Sequence, residues 1–301
     1  MPNKQRLNSS DFLWPENTIN GATKVYGLLA HPAQHSLSPL LHNQGFAANQ
    51  INAVYLAFDS GGHDGAALTT SLRTLDLAGC NLSLPDKETV LPFLDELTPD
   101  ARLIGAVNTV KNNNGYLIGS NTDGRGFVQG LVTAGIDLHN SRVVLLGAGA
   151  AARAILVALA QAETQQLQVF QRRTSVHFVQ LQQLLDALGQ AVITARDWSE
   201  LAQVDWQQVD LVINATNLGF GDHQGASPLA LSQLQQLPTT ASVWDVIYQP
   251  RQSELLRLAQ SCGLATHNGL AMLLYQADLA FQIWTGQHLP LRQLQNYLKI
   301  K

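Results

Sequence analysis

The chain has 301 residues, of which 46% are hydrophobic and 13% charged, with a formal net charge of −4. That is ample material for a core in one large domain or two ordinary ones, and it excludes a disordered chain. The slight acidity and the lack of a long basic run exclude nucleic acid and anionic membrane surfaces as expected partners, and no apolar stretch approaches the roughly 20 residues of a membrane span. The first residues, MPNKQRLNSSDF, are polar and contain no apolar signal core. Cys80 and Cys262 are far apart and lack metal-type spacing, as do the histidines. They read as reduced thiols, so the expectation is a cytoplasmic protein without a metal.

Residues 1–22 form a polar, loosely held lead-in. KVYGLLA (24–30) reads as a strand and SPLLHNQGFAANQ (38–50) as a helix. NAVYLAFD (52–59) is a strand, ALTTSLRTL (67–75) a helix, GCNLSLP (79–85) a strand, and a helix follows over 87–95. The Asn/Gly cluster at 112–115 lies between two apolar runs, so 105–121 reads as a hairpin. From residue 123 the alternation is clearer. DGRGFVQGLVTAG (123–135) is a helix, RVVLLGAGAAARAILVALA (142–160) a strand, turn and helix, and QLQVF (166–170) a second strand. VDLVINAT (209–216) and SVWDVIY (242–248) are further apolar strands. The Gln-rich stretches 181–208 and 231–237 are expected to be surface helices. Apolar residues at 270, 273, 274, 277, 281 and 284 have helical spacing. Apolar strands alternating with helices predict parallel sheet covered on both faces. The fold class is α/β, with two α/β domains hinged near 122–124 and again near 267–269.

Gly147, Gly149 and Ala152 give G-x-G-x-x-A after a strand and before a helix. The first glycine makes the turn, the second admits a pyrophosphate, and the small third residue lets helix and strand pack. A tight turn needs glycine in any case, but the strand–turn–helix setting favours a dinucleotide. The next strand runs into QRRTS (171–175), which contains no acidic residue. An acid there would accept from a ribose hydroxyl, whereas a guanidinium suits a 2′-phosphate. The arginines could also be two solvated charges on a turn.

Other polar residues stand out singly. Ser38 precedes Pro39 and suits a helix N-cap, and Ser36 lies two residues before it. Two hydroxyls beside a helix N-terminus can also hold a carboxylate. Asn81 and Ser83 share one strand face, Leu82 and Leu84 the other, so Asn81 and Ser83 are expected to face a cleft or water. Lys87 follows directly; a surface charge is the plain alternative. Asn108 interrupts an apolar run and must tie loops together or bind ligand. Thr122 and Asp123 open a helix, where capping would suffice to explain them. Gln276 falls mid-helix and could be merely exposed.

Eight stretches, in order, resemble the shikimate dehydrogenase family: HSLSPLLHNQGF, GCNLSLPDK, IGAVNTV, GSNTDGRGF, LLGAGAA, INATNLG, DVIYQP and GLAMLLYQADLAFQIWTG. The resemblance spans about residues 24–290. It implies an N-terminal substrate domain over 1–122, completed by C-terminal helices over 269–301, and a Rossmann-type doubly wound dinucleotide domain over 123–268. The active site would lie in the cleft between them. The implied activity is the NADP-dependent interconversion of 3-dehydroshikimate and shikimate by hydride transfer, with NAD as a poorer cofactor. Lys87 and Asp123 would be the catalytic pair, either of which makes the formal proton transfer. Ser36, Ser38, Ser83, Asn108, Asp123, Tyr248 and Gln276 would bind substrate. Gly147, Ala148, Gly149, Ala150, Ala151, Gln171, Arg172, Arg173, Thr216, Val246 and Gly269 would bind cofactor. The protein would be a monomer or homodimer. Departures from the family pattern are Ser83 for threonine, Ala150 and Ala30 for glycine, and Asn217 for proline. Two rival readings are a quinate/shikimate dehydrogenase and a non-catalytic metabolite sensor. The retained lysine–aspartate pair speaks against the sensor, and serine at 38 speaks for shikimate.

Overall fold

The structure is a computed structural model that describes residues 19–62, 64–83 and 85–300. Most of the expected polar lead-in therefore lies outside the described residues, as does Leu84. In chain order the elements are β1 (Lys24–Ala30), α1 (Ser38–Ala48), β2 (Ala53–Asp59), α2 (Gly65–Thr74), β3 (Gly79–Leu82), α3 (Asp86–Thr89), β4 (Glu96–Leu97), α4 (Pro99–Ile104), β5 (Thr109–Asn113) and β6 (Tyr116–Ser120). There follow α5 (Asp123–Thr133), β7 (Arg142–Leu146), α6 (Ala150–Gln161), β8 (Gln166–Gln171), α7 (Val176–Leu188), β9 (Ile193–Asp197), β10 (Leu211–Asn214) and α8 (Leu231–Leu234). The last are β11 (Ser242–Asp245), α9 (Glu254–Ser261), β12 (Ala265–His267), α10 (Leu270–Thr285) and α11 (Leu291–Leu298).

The chain forms two compact units. The first takes the described residues up to Thr98, with Val107–Ser120 and Ala277–Tyr297; the second takes Pro99–Ala106, Asn121–Gln276 and the residues from Leu298. The first unit holds a mixed sheet in the order β2-β1-β3-β5-β6-β4. β1 runs parallel to β2 and β3, while β5 is antiparallel to β3 and β6. The β5–β6 hairpin turns at Asn114 and Gly115, both at positive φ, as an Asn-Gly loop requires. Asn112 secures it, its Oδ1 accepting from the Gly115 N–H at 2.7 Å. The core is aromatic: Tyr26 packs on Phe46 and Trp284 with ring centroids 5.2 and 5.1 Å away. His42 is fully buried in it and stacks on Tyr55 at 4.5 Å. A Cβ at Gly79 would stand 2.5 Å from the Trp284 indole nitrogen, so glycine is what lets that ring sit against β3.

The second unit holds a parallel sheet ordered β12-β11-β10-β7-β8-β9. Its first strand in sequence, β7, lies in the middle, and successive strands leave it in both directions. That is the doubly wound dinucleotide-binding order, with its switch point between β7 and β10. The strands are apolar throughout because helices cover both faces: Val143 to Leu146 and Leu211 to Ile213 are each no more than 1% exposed.

Three expected elements differ. The strand over 79–85 stops at Leu82, and the helix over 87–95 is a single turn followed by a 3₁₀ turn at Leu91–Phe93. Pro92 has no N–H to donate to the Glu88 carbonyl, so the α-helical hydrogen-bond ladder cannot run through it. The stretch 181–208 is not helical throughout. α7 ends at Gly189, whose φ of +64° only glycine adopts freely, and β9 follows on the sheet edge. Its Gln-rich neighbours hid a strand whose apolar face is narrow.

Candidate active site

In the first unit, β1 and β3 are parallel neighbours, so the loops after their C-terminal ends emerge side by side. The segment after β1 carries Ser36 and enters α1 at Ser38; that after β3 carries Ser83 and enters α3, which holds Lys87. Strand β5 runs the other way, so its N-terminal end, beginning just after Asn108, arrives at the same edge. The backbone ties these segments together. The Ser83 N–H donates to the Leu29 carbonyl at 3.0 Å, Leu82 N–H to the Asn108 carbonyl at 2.9 Å, and Val107 N–H to the Lys87 carbonyl at 2.9 Å. Five of the expected substrate and catalytic residues thus gather at one sheet edge, where open α/β sheets bind ligands.

Their details correct two expectations. Ser38 is not the N-cap of α1: it is the first helical residue, Leu37 precedes it, and no side chain caps the helix. Ser36 takes the local role instead, its Oγ accepting from the Ser38 N–H at 3.1 Å. Ser38 is 6% exposed, and its hydroxyl is hydrogen-bonded to the Tyr55 side chain. Asn81 does not face a cleft or water. It is 5% exposed, and its side chain contacts Tyr55, Asn108 and Thr109. Nothing in a single strand's alternation reveals this, because its partners lie 26 to 28 residues away.

Asn108 is buried, and its Oδ1 accepts from the Thr109 hydroxyl at 2.9 Å. Asp86, next to Lys87, is fully buried, and desolvation raises its carboxyl above the usual range. The short side chain of Ser83 is half-buried.

In the second unit, Asp123 starts α5 and is 5% exposed; its N–H donates to Asn121 Oδ1 at 3.0 Å. The alternative of simple capping is not met at Thr122, whose side chain makes no capping hydrogen bond. Gln276 is buried at 8% exposure, its amide donating to the Leu273 carbonyl, which removes the alternative that it is merely exposed. Tyr248 follows β11 and is half-buried, with its phenol pushed up by burial.

The β7–α6 turn fits a pyrophosphate. Gly147 has φ +103°, and a Cβ there would stand 2.8 Å from the Ala215 carbonyl oxygen. Gly149 is the N-cap of a 12-residue helix with no side-chain cap, and a Cβ there would meet nothing within 4 Å. Backbone N–H groups at such a turn face open space, and the helix dipole favours an anion. Ala148 is buried, whereas Ala150 and Ala151 are half-buried at the mouth of the helix. Thr216 follows β10 across the switch point, its N–H and Oγ1 both bonded to Asn214 Oδ1. Gly269 is a close-packing site: a Cβ would stand 2.0 Å from the Val246 carbonyl oxygen.

The residues after β8 divide their roles. Gln171 is buried, with its amide donating to Ser175 Oγ at 3.1 Å. Arg173 is engaged locally: its N–H donates to Asp197 at 2.8 Å, and its guanidinium lies over the Phe178 ring and 3.4 Å from Glu200. The Ser199 hydroxyl and the Arg173 and Ser199 N–H groups hold the Asp197 carboxyl down at about 2. Arg172 is exposed and makes no ion pair among the described residues. Asp197 and Glu200 were missed in the sequence because they belong to the unrecognised β9 and the turn after it.

The family model described as the shikimate dehydrogenase substrate binding domain matches residues 28–110. A protein of Latilactobacillus sakei, named shikimate dehydrogenase (NADP(+)), is 41% identical over 284 residues, covering 93% of this chain and 97% of that one. The chain belongs to the shikimate dehydrogenase family. Among solved family structures, shikimate 5-dehydrogenase from Listeria monocytogenes, in complex with shikimate and NAD, superposes with a TM-score of 0.84 at 33% identity. It covers 94% of this chain and 98% of its own. The Thermus thermophilus enzyme in complex with NADP(H) and shikimate gives 0.78 at 33% identity, covering 92% and 99%. This family member contains no helix among the described residues that is long and apolar enough to cross a membrane.

Proposed function

We propose that the chain is an NADP-dependent oxidoreductase that interconverts 3-dehydroshikimate and shikimate. The observation that carries this reading is the pairing of two sites in one chain of this family. Five polar residues converge at the β1–β3 edge of one unit, and an open glycine turn heads a helix in the other. On this reading, residues 1–122 with 269–301 bind substrate, and 123–268 bind NADP through Gly147 to Ala151, Gln171 to Arg173, Thr216 and Val246, with Gly269 of the adjoining segment also touching the cofactor. When bound, the reduced nicotinamide supplies the hydride.

The chain's own residues do the rest. Negative charge develops on the keto oxygen of the substrate, and the Lys87 ammonium stabilises it and donates the proton there. Asp123 is the second member of the catalytic pair. Ser36 and Ser38 bind the carboxylate by hydroxyl and helix N-terminus, and Ser83, Asn108, Tyr248 and Gln276 bind the remaining substrate groups. The hydrogen bond from Val107 to the Lys87 carbonyl keeps the lysine in register with Asn108. The protein is a cytoplasmic monomer or homodimer with no nucleic-acid or membrane partner.

A steady-state assay crossing shikimate and quinate with NADP and NAD tests the reading. Shikimate with NADP should give the highest kcat/KM. Equal or better turnover of quinate with NAD would replace it with the broader quinate/shikimate activity.

A further inference from the structure

A carboxamide can present either of two faces. Turned by 180° about its last bond, Asn108 would offer an acceptor where it now offers donors. The hydrogen bonds beneath it fix the choice. One end of the Asn81 side chain lies 3.1 Å from the Asn108 backbone carbonyl. A carbonyl only accepts, so that end is the Asn81 amide nitrogen. Its Oδ1 therefore accepts from the Tyr55 hydroxyl at 2.8 Å. The same Asn81 nitrogen donates to Thr109 Oγ1 at 3.1 Å. Thr109 then directs its single hydroxyl proton to Asn108 Oδ1, 2.9 Å away. All four side chains are at most 5% exposed, so water cannot easily substitute for any of these bonds.

We propose that Tyr55, Asn81 and Thr109 form a positioning relay that locks the Asn108 carboxamide with its oxygen inward and its NH₂ group toward the substrate. This rests on the reading of Asn108 as a substrate ligand. The relay makes the site select a substituent that accepts a hydrogen bond at that place, a hydroxyl, against an ammonium, which has no lone pair to offer. None of the three relay residues touches the reacting atoms; each acts through Asn108.

Thr109→Val keeps the shape and deletes the hydroxyl. The expected result is a rise of about tenfold in KM for shikimate with KM for NADP little changed, and a fall of a few degrees in melting temperature, because Asn81 and Asn108 each lose a buried partner. Thr109→Ser should restore KM to within about threefold of the wild type. In an Asn108→Ala background, Thr109→Val should add less than about twofold, because its target is gone. An equal penalty in both backgrounds, or an equal rise in both KM values, overturns the relay. Should Thr109→Val not fold, Tyr55→Phe removes only the first donor and should give the same split. A readout without substrate is the Asn108 side-chain NH₂ signal in protein labelled with ¹⁵N-asparagine. Thr109→Val should shift it and speed its exchange with water; an unchanged signal would count against the relay. A wild type that fails to turn over shikimate would refute the function proposed above and leave this second readout to judge the relay.

Discussion

The β7–α6 turn works with backbone, whereas the cluster around Asn81 works with side chains. In the turn, the groups offered to a ligand are N–H groups, and the sequence signal is the absence of side chains at Gly147 and Gly149. In the cluster, Tyr55, Asn81, Asn108 and Thr109 come from three separate strands or their ends, and each polar atom depends on a partner. The first kind of site is encoded in six consecutive residues. The second is encoded in a fold, and any one of its members looks ordinary in sequence. Tolerance should differ accordingly: the turn fails through added bulk, the cluster through a lost proton donor.

The largest effect is expected at the β1–β3 edge. Lys87→Ala should lower kcat by about a thousandfold, or ~4 kcal/mol of barrier, while shikimate still binds. Single-turnover kinetics with a binding titration checks this; a variant keeping more than about a tenth of kcat would remove Lys87 from proton donation.

Two glycines separate packing from ligand approach. Gly269→Ala pushes a methyl against the Val246 carbonyl and should destabilise the fold by about 3 kcal/mol. Gly149→Ala meets nothing within 4 Å in the protein, so stability should hold while KM for NADP rises by about tenfold. Urea unfolding and cofactor kinetics on both variants test the contrast. A Gly149→Ala enzyme with unchanged KM would mean that the turn does not approach a pyrophosphate.

The next effect belongs to the aromatic side of the cluster. Burial holds the His42 pKa down at about 3, against which Asn81 acts only weakly. The unfolded chain, with an ordinary value near 6.5, binds the proton first, so stability is present above that value and is lost as pH falls toward about 3. Between pH 7 and 5 the loss should be about 2 kcal/mol. His42→Phe keeps the stacking and should flatten that limb. Identical pH slopes for variant and wild type in urea titrations would show that His42 is not held neutral in the folded state.

The smallest effect concerns the arginines after β8. Arg173 is occupied by Phe178 and Glu200, so Arg172 should carry most of the preference for a 2′-phosphate. Arg172→Ala should reduce the NADP over NAD ratio of kcat/KM by about tenfold, ~1.4 kcal/mol, and Arg173→Ala by less. A larger loss at Arg173 would reverse the assignment.

The same division explains what could be read from the sequence. The glycine turn, the Asn-Gly hairpin and the buried strands β7, β10 and β11 are local signals, and they appear where they were expected. For Ser38 the sequence left capping and ligand binding both open, because proline after serine suits a cap equally well; only the backbone of Leu37 removes the cap. Asn81 was misread because alternation along one strand says which face a residue takes and nothing about what covers that face. Strand β9 was missed because glutamines dominate the chain around it. For Gln276 an exposed position stayed open as an alternative, because helical periodicity alone does not reveal a buried polar position.

The seat of Trp284 against Gly79 has a consequence for how the protein is made. Strands β1 to β6 of the first unit precede the second unit's sheet in the chain, yet the first unit's aromatic core is closed by Phe281 and Trp284, and Leu289 packs against Gly45. Those side chains are synthesised only after the whole of the second unit's sheet. The second unit, by contrast, has its entire parallel sheet between Arg142 and His267, so it can assemble while the first still waits. During that interval Tyr26, His42 and Phe46 have no cover for one of their faces. Translation therefore leaves the strands of the first unit partly uncovered until α10 has been made.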